Sequence, residues 1–192
     1  MKVFRLHYNA PVTLTFTLAS FIILIVSQMT GGAANILLFS VYRAPLSDPL
    51  LYPRLFGHAL GHADLNHFFG NFVIILLVGP MLEEKYGGKQ LAVMMVVTAF
   101  ITGVMFIALT PPNVAMLGAS GIVFMFMLLA SFTNLQKGRV PLTLVLALTV
   151  FLGREVYSGV ATESNISHLT HIIGGLCGAL FGYVVNRRPI NR

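Results

Sequence analysis

The chain has 192 residues, of which 56% are hydrophobic and only 9% are charged, and its formal net charge is +6. Soluble domains carry about 25% charged residues to cover their surface, so this composition excludes a water-soluble globule. It also excludes a disordered chain, because 15 Phe and many aliphatic side chains must be buried. A membrane protein with several spanning segments is the remaining class.

Six apolar segments approach the roughly 20 residues that a helix needs to cross the hydrocarbon core. They cover residues 12–29, 65–82, 91–110, 114–132, 140–157 and 169–185. The fifth is the weakest, because Arg154 and Glu155 interrupt it. We therefore predict an all-α membrane protein, a compact bundle of six transmembrane helices that forms one domain over residues 1–192, with no soluble domain.

The basic residues predict the orientation of this bundle, because Lys and Arg concentrate on the cytoplasmic side of a membrane. With six spans, nine of the 12 basic residues fall on the side that holds both termini. We therefore expect both termini to be cytoplasmic and the first segment to be a retained anchor, since it is longer than a signal-peptide core. The basic residues lie between apolar runs, so we expect contact with membrane lipids and not with nucleic acid.

The longest connection, residues 30–63, joins the first two predicted spans on the outer side. Its apolar patch consists of Ile36, Leu37, Leu38, Phe39 and Val41. Three predicted helix breakers follow this patch: Pro45, Pro49 and Pro53. We expect a long first outer loop that lies partly in the bilayer.

Polar residues inside a bilayer are costly, so each needs a partner, a water-filled cavity or a function. Clusters of them open the second, fourth and sixth spans, which all enter the membrane from the predicted outer side. The clusters are His58, His62, Asp64, Asn66, His67 and Asn71; Asn113 and Ser120; and Asn165, Ser167, His168, Thr170 and His171. At a rise of about 1.5 Å per residue, Ser120 and His171 are expected at similar depth.

Small residues predict how these two helices approach each other. Gly174, Gly178 and Gly182 recur at every fourth position of the sixth span, which gives that helix a smooth face. Gly121, next to Ser120, supplies a matching surface on the fourth span. The spacing therefore favours close packing of the fourth and sixth helices, with the serine and the histidine facing each other.

These motifs resemble those of a known family, the rhomboid intramembrane serine proteases. The resemblance rests on Gly118-x-Ser120-Gly121, on His171-x-x-Gly174-x-x-x-Gly178 and on His67-x-x-x-Asn71. It extends to Arg54 in the first loop and to Gly79-x-x-x-Glu83-x-Lys85-x-Gly87. The chain departs from the family pattern at three positions, since Pro53 replaces a tryptophan, Lys85 a common arginine and Phe124 a frequent tyrosine. The six-span arrangement implies the bacterial type, in the cytoplasmic (inner) membrane.

The resemblance implies a serine protease that cleaves transmembrane segments of other membrane proteins, with no metal and no cofactor. Ser120 would be the nucleophile and His171 the general base and acid, a dyad without a carboxylate. Asn71 and His67, with the Ser120 N–H, would form the oxyanion hole. The supporting residues would be Gly118, Gly121, Phe124, Gly174 and Gly178.

Other interpretations of the same residues stay open. His168, three positions before His171, is a rival base. His58 and His62 have the i, i+4 spacing of a zinc pair, and His168 or His171 could complete an intramembrane zinc hydrolase, although no His-Glu-x-x-His motif is present. A non-catalytic rhomboid relative that binds transmembrane helices, or a transporter or channel, is the remaining alternative.

Overall fold

The computed structural model describes residues 7–132 and 165–186, together with the isolated positions 142, 145, 146, 149 and 153. Within these residues the chain forms the following helices and strands. They are α1 Pro11–Met29, α2 Ala33–Leu38, β1 Val41–Tyr42, α3 Leu51–Gly57, α4 Leu65–Tyr86, α5 Gly88–Leu109, β2 Ala115–Met116, α6 Ser120–Phe132 and α7 Asn165–Asn186. The predicted fifth span, 140–157, lies outside the described residues apart from the isolated positions.

Four helices are long and apolar enough to cross a membrane, namely α1, α4, α5 and the part of α7 from His168 to Val185. They coincide with the first, second, third and sixth predicted spans. The chain is therefore a multi-pass membrane protein that is mostly helical. The helix α6 is also apolar, but its described part is shorter, and the count of six spans stays a prediction.

The fourth predicted span was placed wrongly at its start, because α6 begins at Ser120 and not at residue 114. Residues 115 and 116 instead form β2, which pairs antiparallel with β1 through Val41 opposite Met116. Gly118 follows with φ +126°, a conformation that residues with a Cβ rarely adopt. The strand pairing and this glycine keep the segment extended until the helix starts at Ser120.

The connection between α1 and α4 is structured, since it contains α2, β1 and α3. The prediction that Pro53 breaks a helix was wrong, because Pro53 is the third residue of α3. A proline is tolerated in the first turn, where the N–H groups have no acceptor within the helix. Pro45 and Pro49 lie outside helices, as expected.

Arg54 ties this connection together from a buried position. Its Nε donates to the Leu37 carbonyl at 2.8 Å, and its Nη1 donates to Asp48 Oδ2 at 2.8 Å in an ion pair. The guanidinium carbon also lies 4.4 Å from the centre of the Tyr42 ring. One arginine therefore joins α2, β1 and α3. Local sequence patterns do not predict this connection.

Glu83, near the end of α4, caps the start of α1. Its carboxylate accepts from the Val12 and Thr13 backbone N–H groups and from the Thr13 hydroxyl, each at 2.9 Å. Gly79, one turn earlier, makes room for this contact, because a Cβ there would lie 2.6 Å from Thr13 Cγ2. The first N–H groups of a helix have no acceptor within it, so the buried Glu83 supplies an acceptor and fixes α1 against α4.

The helix α6 lies in the core, and α7 packs along it at very short range. A Cβ at Gly174 would overlap the Gly121 carbonyl oxygen, and one at Gly178 would overlap that of Met125. Gly182 faces Phe132 in the same way, with only 2.6 Å from its ideal Cβ to the Phe132 Cβ. The small-residue face therefore has the packing role that the sequence predicts, and it sets the distance between the two helices.

Candidate active site

A cavity of about 500 Å³ lies among α4, the segment before α6, α6 and α7. Its lining includes the four side chains that the sequence singles out, namely Ser120, His171, His67 and Asn71. Asn66 and Thr170 add polar groups, whereas the remaining wall is mainly apolar and includes Met116, Leu117, Val123 and Met127. The fold thus brings polar residues from three helices to one concave site.

The backbone before Ser120 is held in place by the segment that precedes α4. The Gly118 N–H donates to the His58 carbonyl at 2.8 Å. An ideal Cβ at Gly118 would lie only 2.7 Å from His67 Nε2, so the absence of a side chain allows the imidazole to sit against this turn. Together, these contacts place the start of α6 beside the His67 ring.

His171 reaches the same cavity from α7 and packs against Phe124 of α6. The two ring centroids are 4.5 Å apart, with an angle of 39° between the ring planes. Phe124 is buried and lies one helical turn after Ser120, so it contacts the imidazole on the face of α6 that carries the serine. The rival base His168 is not among the described residues that line this cavity.

His62, which the sequence suggests only as half of a zinc pair, supports the candidate site through hydrogen bonds. It is fully buried, and its Nδ1 lies 3.2 Å from the Leu60 carbonyl oxygen. Its Nε2 lies 3.2 Å from Asn71 Nδ2 and 3.4 Å from the Ala119 backbone nitrogen, and both of these are donors. These partners assign a neutral imidazole with its proton on Nδ1 and a lone pair on Nε2.

Burial has a direct electrostatic effect on this imidazole. Because the charged form is poorly solvated in the protein interior, the pKa of His62 falls to about 4. Proximity to His67, whose ring centroid is 5.1 Å away, lowers the His62 pKa further when His67 is charged. The neutral form that accepts from Asn71 and Ala119 is therefore favoured down to acid pH.

Asn71 has both of its amide hydrogens directed at acceptors within the protein. Nδ2 donates to the His67 carbonyl at 3.1 Å and to His62 Nε2 at 3.2 Å. The bond to His62 fixes the orientation of the amide, since only the nitrogen of the side chain is a donor. A ligand that accepts from Asn71 must therefore replace one of these two acceptors.

The two histidines of the hypothetical zinc pair have separate partners in the structure. His58 Nε2 lies 3.0 Å from the Ala99 carbonyl oxygen, and burial lowers the His58 pKa to about 4. A nitrogen that donates to a carbonyl has no lone pair for a metal. Across residues 7–132 and the described part of α7, no group of three His, Cys, Asp or Glu side chains is arranged to hold a metal ion.

Sequence comparisons identify proteins to which the chain is similar. It is 34% identical to Rhomboid-related protein 1 of Caenorhabditis elegans over 134 residues, which cover 65% of this chain and 37% of that protein. It is 22% identical to Rhomboid-like protein 11, chloroplastic, of Arabidopsis thaliana over 142 residues, which cover 67% of this chain and 50% of that protein. The chain thus spans half or less of the length of these curated relatives.

The Rhomboid domain family matches residues 51–188, which is more than two thirds of the chain. The matched region begins at α3 and includes α4, α5, α6 and α7, so it contains every residue that lines the cavity. On this match, the chain belongs to the rhomboid family.

Proposed function

We propose that the chain is an intramembrane serine protease that cleaves transmembrane segments of other membrane proteins. The observation that carries this proposal is the common cavity of Ser120, His171, His67 and Asn71, with Phe124 packed against the His171 ring. Amide hydrolysis needs a nucleophile, a base and donors for the developing oxyanion. Ser120 supplies the nucleophile and His171 the base. His67 and Asn71 supply the two side-chain donors.

Ser120 Oγ attacks the scissile carbonyl, and His171 accepts the hydroxyl proton as general base. The same imidazole then donates that proton to the leaving amine, and a water molecule repeats the sequence to release the acyl group. Phe124 limits the rotation of the His171 ring by packing against it, a role that a carboxylate has in the familiar triad.

The oxyanion that forms on the scissile carbonyl accepts from His67, from Asn71 Nδ2 and from the Ser120 N–H. Asn71 gives up its bond to the His67 carbonyl and keeps its bond to His62, so that the amide stays oriented while one hydrogen turns to the substrate. Removal of one such donor typically lowers kcat by about 10²–10³. The close approach of the His67 ring to the Gly118 turn, two residues before Ser120, supports this role.

The substrate of this proposed enzyme is another transmembrane segment, as the family resemblance implies. An amide within a helix is hydrogen-bonded and shielded, so the segment must unwind locally before Ser120 can attack. The polar residues of the cavity provide a route for water at membrane depth. We also propose that the bundle has six spans with cytoplasmic termini, in the bacterial cytoplasmic membrane.

The test is cleavage of a model transmembrane substrate by the full chain, followed on gels. We expect Ser120→Ala and His171→Ala each to lower kcat by at least about 10³, whereas His168→Ala on the same helix keeps most activity. A metal chelator should leave cleavage intact. Undiminished cleavage by the folded Ser120→Ala protein, or its loss on chelation, would refute the serine mechanism.

A second readout separates catalysis from mere binding of helices. A fluorophosphonate probe forms a covalent bond only with an activated serine, so it should label Ser120 in the wild type and lose that labelling in His171→Ala. Ser131→Ala is the matched control, because Ser131 lies on the same helix and its hydroxyl donates to the Met127 carbonyl. Binding of the substrate helix without labelling or cleavage would indicate a non-catalytic relative.

A further inference from the structure

A second and larger cavity, of about 750 Å³, lies between α1 and α5, away from the candidate active site. Its two long walls are helix faces with the spacing i, i+4 and i+7, formed by Val12, Phe16 and Ala19 on α1 and by Ala92, Val96 and Ala99 on α5. Val12 and Ala19 lie seven residues apart, which is about 10 Å along the helix axis. Small side chains on both walls leave the space between the helices unfilled.

The wall of this α1–α5 cavity is almost wholly apolar. The hydroxyl in its described lining belongs to Thr15, and it is hydrogen-bonded to the Tyr8 hydroxyl at 3.0 Å. Water needs two to four polar partners to occupy a cavity, and this wall does not offer them. An empty space of this size would leave the lining side chains without dispersion contacts on one side. An apolar occupant is therefore favoured.

The cavity opens onto the surface that faces lipid. Phe56 and Val96 line it and are also 43% and 53% exposed, so they form its rim. Beyond the rim, Leu18, Val93 and Phe100 continue as an exposed apolar surface. Because α1 and α5 are two of the membrane-crossing helices, this surface contacts acyl chains, and the cavity is a recess in it.

A cation lies near one end of the recess. Lys89 is exposed, and it lies three residues before Ala92, which places it on the same side of α5 as the cavity wall. At this end the two helix starts adjoin, since an ideal Cβ at Gly88 would lie 3.2 Å from Val12 Cγ2. Among the described residues Lys89 forms no ion pair.

We propose that the α1–α5 cavity binds one acyl chain of a membrane phospholipid, with the phosphate of the headgroup beside Lys89. The apolar wall excludes water, the open rim admits a chain from the surrounding bilayer, and the lysine favours an anionic group at one end. The site is separate from the serine and the histidine, so the proposal does not depend on proteolysis.

The test uses the purified full chain in detergent with a phosphatidylglycerol that carries a photoactivatable group on its acyl chain, and labelled residues are mapped by mass spectrometry. Met95 lines the cavity but is only 5% exposed, whereas Leu18 lies on the open surface. We expect saturable labelling of Met95 and labelling of Leu18 that rises with probe concentration without saturating.

Variants then test whether the acyl chain binds in the α1–α5 cavity. Ala92→Phe should fill the recess and lower Met95 labelling at least tenfold, whereas Val93→Phe, on the neighbouring exposed position, should leave it unchanged. Ala19→Phe fills the recess from the opposite wall and serves if Ala92→Phe does not fold. Lys89→Gln should raise the half-saturating probe concentration roughly fivefold, the effect of one cation near a membrane surface.

Three results would overturn the proposal. They are unsaturable labelling of Met95, equal labelling of Met95 in folded Ala92→Phe and Val93→Phe, and cross-links through the recess that join two copies of the chain. The last result would identify a second copy as the occupant. Because the readout is labelling and not cleavage, a failure here is distinguishable from a failure of the serine mechanism.

Discussion

The backbone N–H of Ala119 donates to Nε2 of His62 over 3.4 Å, although 57 positions separate the two residues in the chain. The same nitrogen accepts from Asn71 at 3.2 Å. One neutral imidazole therefore connects the residue before Ser120 with the amide proposed for the oxyanion hole. Its position makes His62 a positioning residue in the proposed mechanism, since it acts through Ala119 and Asn71.

Removal of this imidazole should impair catalysis more than substrate binding. We expect His62→Ala to lower kcat about 10²-fold with little change in KM, because a displacement of about 1 Å in a reacting group has an effect of this size. His62→Gln, whose amide oxygen can accept from Asn71, should recover part of the loss. Steady-state kinetics on a transmembrane substrate measure both values, and an unchanged kcat in folded His62→Ala would contradict the positioning role.

The free energy of unfolding should fall in mild acid because of two buried histidines. Burial lowers the pKa of His58 and of His62 to about 4, below the usual 6.5. Between these values the unfolded chain binds more protons than the folded one, so stability is fully present above about pH 6.5 and is lost as the pH falls towards 4. Each histidine contributes about 3 kcal/mol to this loss.

Thermal unfolding in detergent at pH 7.5 and pH 4.5 measures this effect. We expect a clear decrease of Tm at the lower pH in the wild type and a smaller decrease in His62→Gln, which has no titratable group at this position. His7, which is exposed, provides the matched control, and His7→Gln should behave like the wild type. A Tm that does not change with pH would show that neither histidine is kept neutral by burial.

The contact between α6 and α7 should not tolerate an added methyl group. Gly174→Ala would overlap the Gly121 carbonyl, and Gly178→Ala would overlap that of Met125. We expect each to lower the free energy of unfolding by about 1–3 kcal/mol, the usual range for overpacking. Gly70→Ala is the control, since beyond the neighbouring backbone of its own helix no atom lies within 4 Å of its ideal Cβ, and alanine is the better helix former. Equal stability of all three variants would argue against this packing.

The Glu83 cap should contribute to stability through hydrogen bonds and not through charge alone. In Glu83→Gln an amide N–H₂ faces the donors of Val12 and Thr13, so at least one buried donor loses its acceptor. We expect a loss of about 1–3 kcal/mol in the free energy of unfolding. The neighbouring Glu84 is exposed, and Glu84→Gln removes the same charge without this effect. Thermal unfolding in detergent compares the two, and equal Tm values would contradict the cap.

The sequence by itself indicates a multi-pass membrane protein, and four of its six predicted spans coincide with helices long and apolar enough to cross a membrane. Membrane insertion depends on the hydropathy of contiguous segments, which can be read without knowledge of any partner. The polar clusters stood out because each is costly in lipid. Spacing and the family resemblance point to Ser120, His171, His67 and Asn71, and the structure brings these four residues to one cavity.

Only the tertiary structure decided how that site is supported. The bonds of His62 to Ala119 and of Glu83 to Thr13 join residues 57 and 70 positions apart, and no local pattern contains both partners. The start of α6 at Ser120 depends on the pairing of β2 with β1. The local hydropathy of a segment depends on its own residues and indicates how favourably that segment leaves water. A hydrogen bond between distant segments forms only after packing has set the distance and the direction between them.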